Sequence, residues 1–384
     1  MTLVVDRRAE GPQTHALVIG VGCYPHLEGG ATPRPDTMDL NQLSSPPVSA
    51  MHVATWLQKR YNNIEAPLGT VRLLVSDRGA SKFINDKGES VVVGRANMGT
   101  TADAIKEWAN AAHSDMANIA VFYFCGHGVS AGINNGLLLE DFGVDHSDLA
   151  LLENVIDVDN LHLAMDGVRA RRQCFLIDAC RNTPRPIADR AGRGALGQSI
   201  LDPFIRQGRY GARDAPLFFA CLPSQRAYGL AQGVSLFTRA LLETLDGAGA
   251  VNRNDTWTVR TDTMLSALNE TLRWQGPQHG LPTQPASLDH ASGFNLHWLQ
   301  GPPAVHVTVK CDPDIANGAA TFSVTGLNGR HTRKVPVPQP WSLRCTPGAY
   351  DVRVAFKQGP YQKRSHRGKI IVPPYVEFNL DVKP

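Results

Sequence analysis

No stretch of this chain approaches the ~20 consecutive apolar residues that a membrane-spanning helix needs, which excludes a helical integral membrane protein. The first twenty residues, MTLVVDRRAEGPQTHALVIG, carry charges where a secretory signal would have its apolar stretch, so a cytoplasmic protein is predicted. Neither sign of charge is in excess: 38 Lys and Arg oppose 35 Asp and Glu, and a net +3 argues against nucleic-acid or membrane partners. Cysteine is scarce and odd in number, seven residues scattered singly and mostly inside apolar runs, which excludes a disulfide framework. No cysteines and histidines show the closed four-ligand spacing of a zinc site, so no metal is expected. VIGVG (18–22) lacks the third glycine and the immediate helix of a dinucleotide loop. There is no internal repeat.

What the chain does have is core. It has 384 residues, 42% of them hydrophobic, enough for two or three domains. HALVIGVG (15–22), VRLLVS (71–76), NIAVFYFCGHG (118–128), QCFLIDAC (173–180) and PLFFACLPS (216–224) read as buried strands. Between them, PVSAMHVATWLQKRY (47–61), ADAIKEWANAAH with a cap at Thr100 or Thr101, and DVDNLHLAMDGV read as helices. SLFTRALLETL (235–245) and TDTMLSALNETLRW (261–274) follow as further helices, and SVVVG (90–94) as half a hairpin. Strands alternating with helices predict an α/β domain on a mostly parallel sheet, with chemistry at the carboxyl ends of the strands. After Gly301-Pro302-Pro303 the texture turns to short alternating segments broken by Gly, Pro and Asn. Residues 1–300 are therefore predicted to form the α/β domain, and 302–384 a small antiparallel β-sandwich.

The informative stretch is VFYFCGHG (121–128). A buried strand ends on an imidazole held between two glycines, and glycine lets another chain or a substrate approach the backbone closely. A second strand ends on Cys180, 53 residues after His127. A thiol attacks only as thiolate and needs a base beside it, and acyl transfer needs backbone N–H donors for the oxyanion. His127 is the candidate base and Cys180 the candidate nucleophile, with the N–H groups of Gly128 and Cys180 as oxyanion donors. Cys125, Cys174 and Cys221, inside apolar runs, read as core.

FYFCGHG followed by FLIDACRN resembles the caspase–metacaspase family of cysteine peptidases, and ACLPSQRAYG…GVSLFTRALLETL is similar to the segment after the active site in bacterial members. The resemblance spans roughly residues 15–300. It implies a caspase-like α/β sandwich and a cysteine endopeptidase that selects one P1 side chain. PGAYDVRV (347–354) resembles PEGA-type immunoglobulin-like modules, which implies an interaction role for the C-terminal domain, such as binding a regulatory partner.

Two positions before the cysteine, where caspases carry glutamine and metacaspases aspartate, stands Asp178. A carboxylate there predicts a basic P1 residue, Arg or Lys. Cys125 stands where metacaspases have serine, and Ser49 where they have an acid, so the pocket is expected to be less acidic than theirs; Arg34 and Arg226 support the rival, acidic-P1 reading. The loop 181–213 carries seven arginines, and Arg185, Arg190, Arg193, Arg206 and Arg209 are candidate self-cleavage sites. Asp141, Asp145 and Asp148 are spaced too loosely for a calcium site, so no cofactor is assigned, although some metacaspases need calcium. Bacterial relatives act in cell death and defence, which implies a protein substrate such as a toxin or pore-forming precursor. The rival from another class is a catalytically silent scaffold that keeps the fold for binding.

Overall fold

A computed structural model describes residues 2–131, 134–145, 152–188, 196–201, 210–225, 227–229, 233–327 and 329–383. The described chain falls into two compact units. The first comprises Met1–Leu242 and Leu272–Leu296, the second Glu243–Thr271 and His297–Pro384. Residues 302–384 lie wholly in the second, which also takes in 243–271 and 297–301.

In the first unit the strands and helices alternate. β1 (Thr2–Asp6) and β2 (Thr14–Val21) precede α1 (Ser45–Arg60), then β3 (Leu68–Ser76). A ribbon of β4 (Lys82–Ile84) and β5 (Ser90–Val92) leads to α2 (Met98–His113) and β6 (Ile119–Gly126). A three-stranded flap, β7 (Gly128–Ala131), β8 (Asn134–Leu138) and β9 (Val155–Asp157), leads into α3 (Val158–Ala164), β10 (Arg172–Ala179) and the one-turn α4 (Arg185–Ala188). β11 (Leu217–Phe219) and α5 (Leu236–Glu243) follow; β12 (Ala250–Arg253), β13 (Thr256–Arg260) and the first part of α6 (Thr261–Gln278) belong to the second unit, and the rest of α6, β14 (Ser287–Asp289) and the start of β15 (Asn295–Trp298) to the first.

The main sheet has the order β1-β3-β2-β6-β10-β11-β14, with parallel pairing from β3 through β11 and antiparallel strands at both edges. β2 and β6 are buried along their whole length and β10 in all but its first residue, which is why they read as unbroken apolar runs rather than alternating ones. α2 packs Ile105 and Trp108 onto Phe122 and Phe175 in one core. Burying side chains of this size is worth about 1.5–3 kcal/mol each.

The elements depart from expectation in three places. The cap of α2 is Asn97, whose Oδ1 accepts the Thr100 N–H at 2.9 Å, rather than Thr100 or Thr101. β11 is three residues long because the chain turns sharply behind it, with Ser224 at φ 63° and the Cys221 thiol turned onto the Gln225 carbonyl at 3.3 Å. NIAVFYFCGHG is divided, β6 ending at Gly126 and β7 starting at Gly128, so His127 occupies the joint between them.

The second unit holds the β-sandwich. Its sheets are β19-β16-β22 and β18-β17-β20-β21, built from β16 (Val305–Asp312), β17 (Ala320–Gly326), β18 (Gly329–Arg333), β19 (Trp341–Cys345), β20 (Gly348–Phe356), β21 (Arg364–Ile371) and β22 (Tyr375–Asp381). Alternation sends Val305, Val307, Val309, Phe322, Val324, Val352 and Val354 into the core. The expectation of a purely antiparallel module is corrected. β16 and β22, the first and last strands, lie side by side and run parallel.

Candidate active site

The carboxyl ends of β6 and β10 are adjacent in register, Asp178 facing Cys125 and Ala179 facing Gly126, so the residues that follow, His127 and Cys180, meet at the same end of the sheet. Gly128 brings them closer still. A Cβ on it would lie 2.6 Å from the Cys180 carbonyl oxygen and 2.8 Å from the Ala179 Cβ, so any other residue would push the histidine loop off the cysteine loop. Gly126 serves a different neighbour: a Cβ there would lie 2.8 Å from the Tyr24 hydroxyl. The two glycines therefore admit close approach by the protein's own groups, in addition to the role expected for them of leaving backbone free.

His127 is buried, 7% exposed. Its Nε2 lies 2.7 Å from the Asn41 carbonyl, which only accepts, so Nε2 carries the proton and Nδ1 is the basic nitrogen. The Tyr24 ring packs on the imidazole at 4.9 Å between centroids. Its hydroxyl accepts the His127 backbone N–H at 2.8 Å and donates to the Leu138 carbonyl at 3.4 Å. Burial holds the imidazole down at about 4, against which the Asn41 carbonyl pulls only weakly, so the ring is a neutral base at pH 7.

Cys180 is half-buried, and the Ala227 backbone N–H donates to its Sγ at 3.3 Å. Residues 221–225 are laced to the nucleophile's strand, Arg181 N–H to the Gln225 carbonyl and Ser224 N–H to the Arg181 carbonyl. The ladder also orients the N–H groups. Phe175 donates to Pro216 on the β11 side, so alternate residues, Cys180 among them, aim their N–H toward β6 and His127. Leu138 on β8 donates to the His127 carbonyl, so the Gly128 N–H faces away from β8. It lies on the same side as the Ser130 N–H, which reaches the Asn182 carbonyl at 3.0 Å just beyond the cysteine. By this ladder the Gly128 N–H faces the cysteine loop and the Cys180 N–H faces β6.

Beside the pair lies a buried polar cluster. Asp178, 4% exposed, accepts through Oδ2 from the Ser235 hydroxyl and from Thr238 Oγ1 at 2.6 Å, and the Cys125 thiol also bonds to it. The Thr238 hydroxyl is in turn 2.5 Å from the Tyr123 hydroxyl. Ser49 is fully buried, its Oγ accepting the Ser235 N–H at 3.0 Å, and its hydroxyl bonds to the Cys125 thiol. Burial raises the Asp178 pKa and its hydrogen-bond donors oppose the rise. Among the described residues Asp178 has hydroxyl and thiol partners and no cation. Arg181 goes elsewhere, to Asn135 Oδ1 at 3.0 Å and over the Phe219 ring at 4.1 Å. The pairing of Asp178 with Arg181, an ordinary alternative for two neighbours in sequence, does not occur.

The remaining candidates are dispersed. Arg34 is buried beside Gly143, its backbone N–H donating to the His26 carbonyl at 3.0 Å, on the loop that also carries Tyr24 and Asn41. Asp141 turns both carboxylate oxygens onto the Met98 N–H at 3.1 Å, and no trio of metal-ligating side chains occurs among the described residues. Arg185 opens the helical turn α4 and so is not extended as a protease substrate would be. Arg190, Arg193, Arg206, Arg209, Arg226 and Asp148 lie outside the described residues. Sequence reasoning missed Tyr24, Asn41, Ala227, Ser235 and Thr238. Only SLFT at the start of α5 offered a signal, two hydroxyls three residues apart on one helix face.

Tyr24 is a positioning residue, its ring and hydroxyl both held on His127. In Tyr24→Phe, kcat and the rate of Cys180 alkylation by iodoacetamide are expected to fall together, each by about tenfold, as the histidine loses its backbone anchor. An unchanged alkylation rate with a merely lower Tm would reduce Tyr24 to a packing residue.

A family model described as the caspase domain matches residues 13–284. The chain is 26% identical over 253 residues to the uncharacterized protein y4kE of Sinorhizobium fredii, a match covering 64% of this chain and 70% of that protein. Two solved structures match at a TM-score of 0.42. Protein GSU0716 from Geobacter sulfurreducens is 15% identical, with 72% of this chain and 93% of that one covered, and caspase-1 from Spodoptera frugiperda is 13% identical, with 75% and 90% covered.

Proposed function

This chain belongs to the caspase domain family, and from that premise we propose that it is a cysteine endopeptidase cleaving protein substrates after arginine or lysine. The observation that carries the catalytic reading is the Gly128 contact, which lays the backbone just after His127 on the backbone of Cys180 at the end of the sheet. Nδ1 of His127 takes the thiol proton, the thiolate attacks the scissile carbonyl, and the N–H groups of Gly128 and Cys180 receive the oxyanion. The same imidazole then protonates the leaving amine, and water attacks the thioester by the reverse sequence. The Ala227 N–H favours the thiolate by donating to sulfur.

The reading of P1 rests on Asp178. A buried carboxylate held only by neutral donors is costly, and an incoming guanidinium or ammonium supplies the missing charge. Ser49 and Cys125 line the same cluster as neutral groups, so one carboxylate, not two, would do the selecting. A role in cell death or defence, with a toxin or pore-forming precursor as substrate, is the biological counterpart of this reading, and it rests on the family resemblance.

A peptide library varied at P1 tests the assignment, with Arg and Lys expected to dominate. The pH profile adds a second check. A base works deprotonated, so activity is lost as pH falls through its pKa, and burial places that limb near pH 4 instead of near 6.5. Because burial also raises Asp178, arginine substrates will lose kcat/KM at a higher pH than substrates with a neutral P1 side chain. An acid limb near 6.5 for both classes would contradict the buried, neutral imidazole.

A further inference from the structure

The whole-chain charge of +3 conceals an uneven division. Residues 302–384 hold twelve Lys and Arg against five Asp and Glu, a formal +7, which leaves −4 for residues 1–301. Within the sandwich, one end of the sheet β18-β17-β20-β21 gathers both this charge and apolar side chains. Register places Gly326 beside Tyr350 and Lys369, and Ala349 beside Ile370, so the β17–β18 turn and the end of β21 lie at one end of the sheet. Leu327 in that turn is fully exposed, and Ile370 and Val372 are 59% and 46% exposed. Arg330 on β18 and Lys369 on β21 stand at the same end of the sheet, and Arg367 acts through space on Asp351; none of the three is within ion-pair distance of an acid among the described residues. Asp351, the acid within this patch, is engaged by Arg353 at 3.1 Å and by the Gly368 N–H at 3.1 Å.

We propose that this end of the β-sandwich docks on an anionic lipid surface, Leu327, Ile370 and Val372 entering the headgroup boundary while Arg330, Arg367 and Lys369 contact lipid phosphates. Single exposed apolar residues are ordinary, but branched aliphatic side chains clustered with exposed cations are the pattern of an interfacial anchor. Two other occupants fit less well. A second copy added to the edge of β21 would face its own cations, and the register shift between Tyr350 and Val352, with Gly368 at φ 61°, interrupts the ladder an added strand needs. A nucleic acid would use aromatic faces, yet Trp341, Phe356 and Tyr361 pack against the core.

The test is co-flotation of the full chain with vesicles of phosphatidylcholine alone or mixed with phosphatidylserine, at low and physiological salt. Binding only to the mixed vesicles, weakening with salt, is expected. Reversing two charges (R367E with K369E) should weaken it by at least about tenfold, as should placing acids at the apolar tip (L327D with I370D). All four positions are exposed, and circular dichroism of each variant checks the fold. Failure to float with anionic vesicles at low salt, equal binding by the reversed-charge variant, or tighter binding to duplex DNA than to the vesicles would each overturn the proposal.

Discussion

Cys180→Ala will abolish peptide cleavage and leave the fold intact. The substitution removes the only group assigned as nucleophile, and Cys180 is half-buried at a strand end, so the loss of its small Sγ removes little buried volume. His127→Ala removes the base and should lower kcat by at least about 10². The double variant should be no worse than Cys180→Ala, because a base with no nucleophile to activate contributes nothing further. Parental rates in Cys180→Ala, measured on a peptide with arginine at P1, would contradict the assignment.

The second large effect falls on Asp178. Asp178→Ala should lower kcat/KM for arginine and lysine substrates by about 10³ or more, since a site built around one buried charge rejects what leaves its partner unpaired. It will also cost stability, because the Ser235 and Thr238 hydroxyls lose their shared acceptor, at about 1–3 kcal/mol for each buried group left unmet. Asp178→Asn separates the two effects. Its amide oxygen still accepts those hydroxyls, so it should fold like the parent while losing the preference for basic P1. If the parental enzyme cleaved faster after aspartate than after arginine, the pocket would have to be cationic and the role given to Asp178 would be wrong.

The site was legible in sequence wherever chemistry needs a side chain at the end of a strand. β6 and β10 are buried along almost their whole length, so their ends are marked by the first residues that a core would not hold: Gly126-His127-Gly128 on one and Cys180-Arg181-Asn182 on the other. The helices announced themselves by period, but their caps did not. Asn97 and Thr100 are both good capping residues, and only the backbone geometry decides between them. Backbone partners were invisible for a simpler reason. The Asn41 carbonyl and the Ala227 N–H would be present whatever residue stood at those positions, so no sequence pattern encodes them. Tyr24 and Thr238 were hidden differently, as side chains whose partners stand 103 and 60 residues away. In the C-terminal module, alternation marks the strands and their inward faces, while the parallel pairing of β16 with β22 depends on where the module's first and last strands meet.

The measurement that tests the central claim most directly is intact mass and peptide mapping after reaction with an electrophilic peptide ketone carrying arginine at P1. Of seven cysteines only Cys23 and Cys180 are not buried, so the site of modification discriminates. The expected result is one adduct per chain, on Cys180, formed faster than with an aspartate probe, slowed in His127→Ala and absent in Cys180→Ala. Modification of Cys23 instead, or equal labelling of Cys180 with and without His127, would show that the two residues do not work as a catalytic pair.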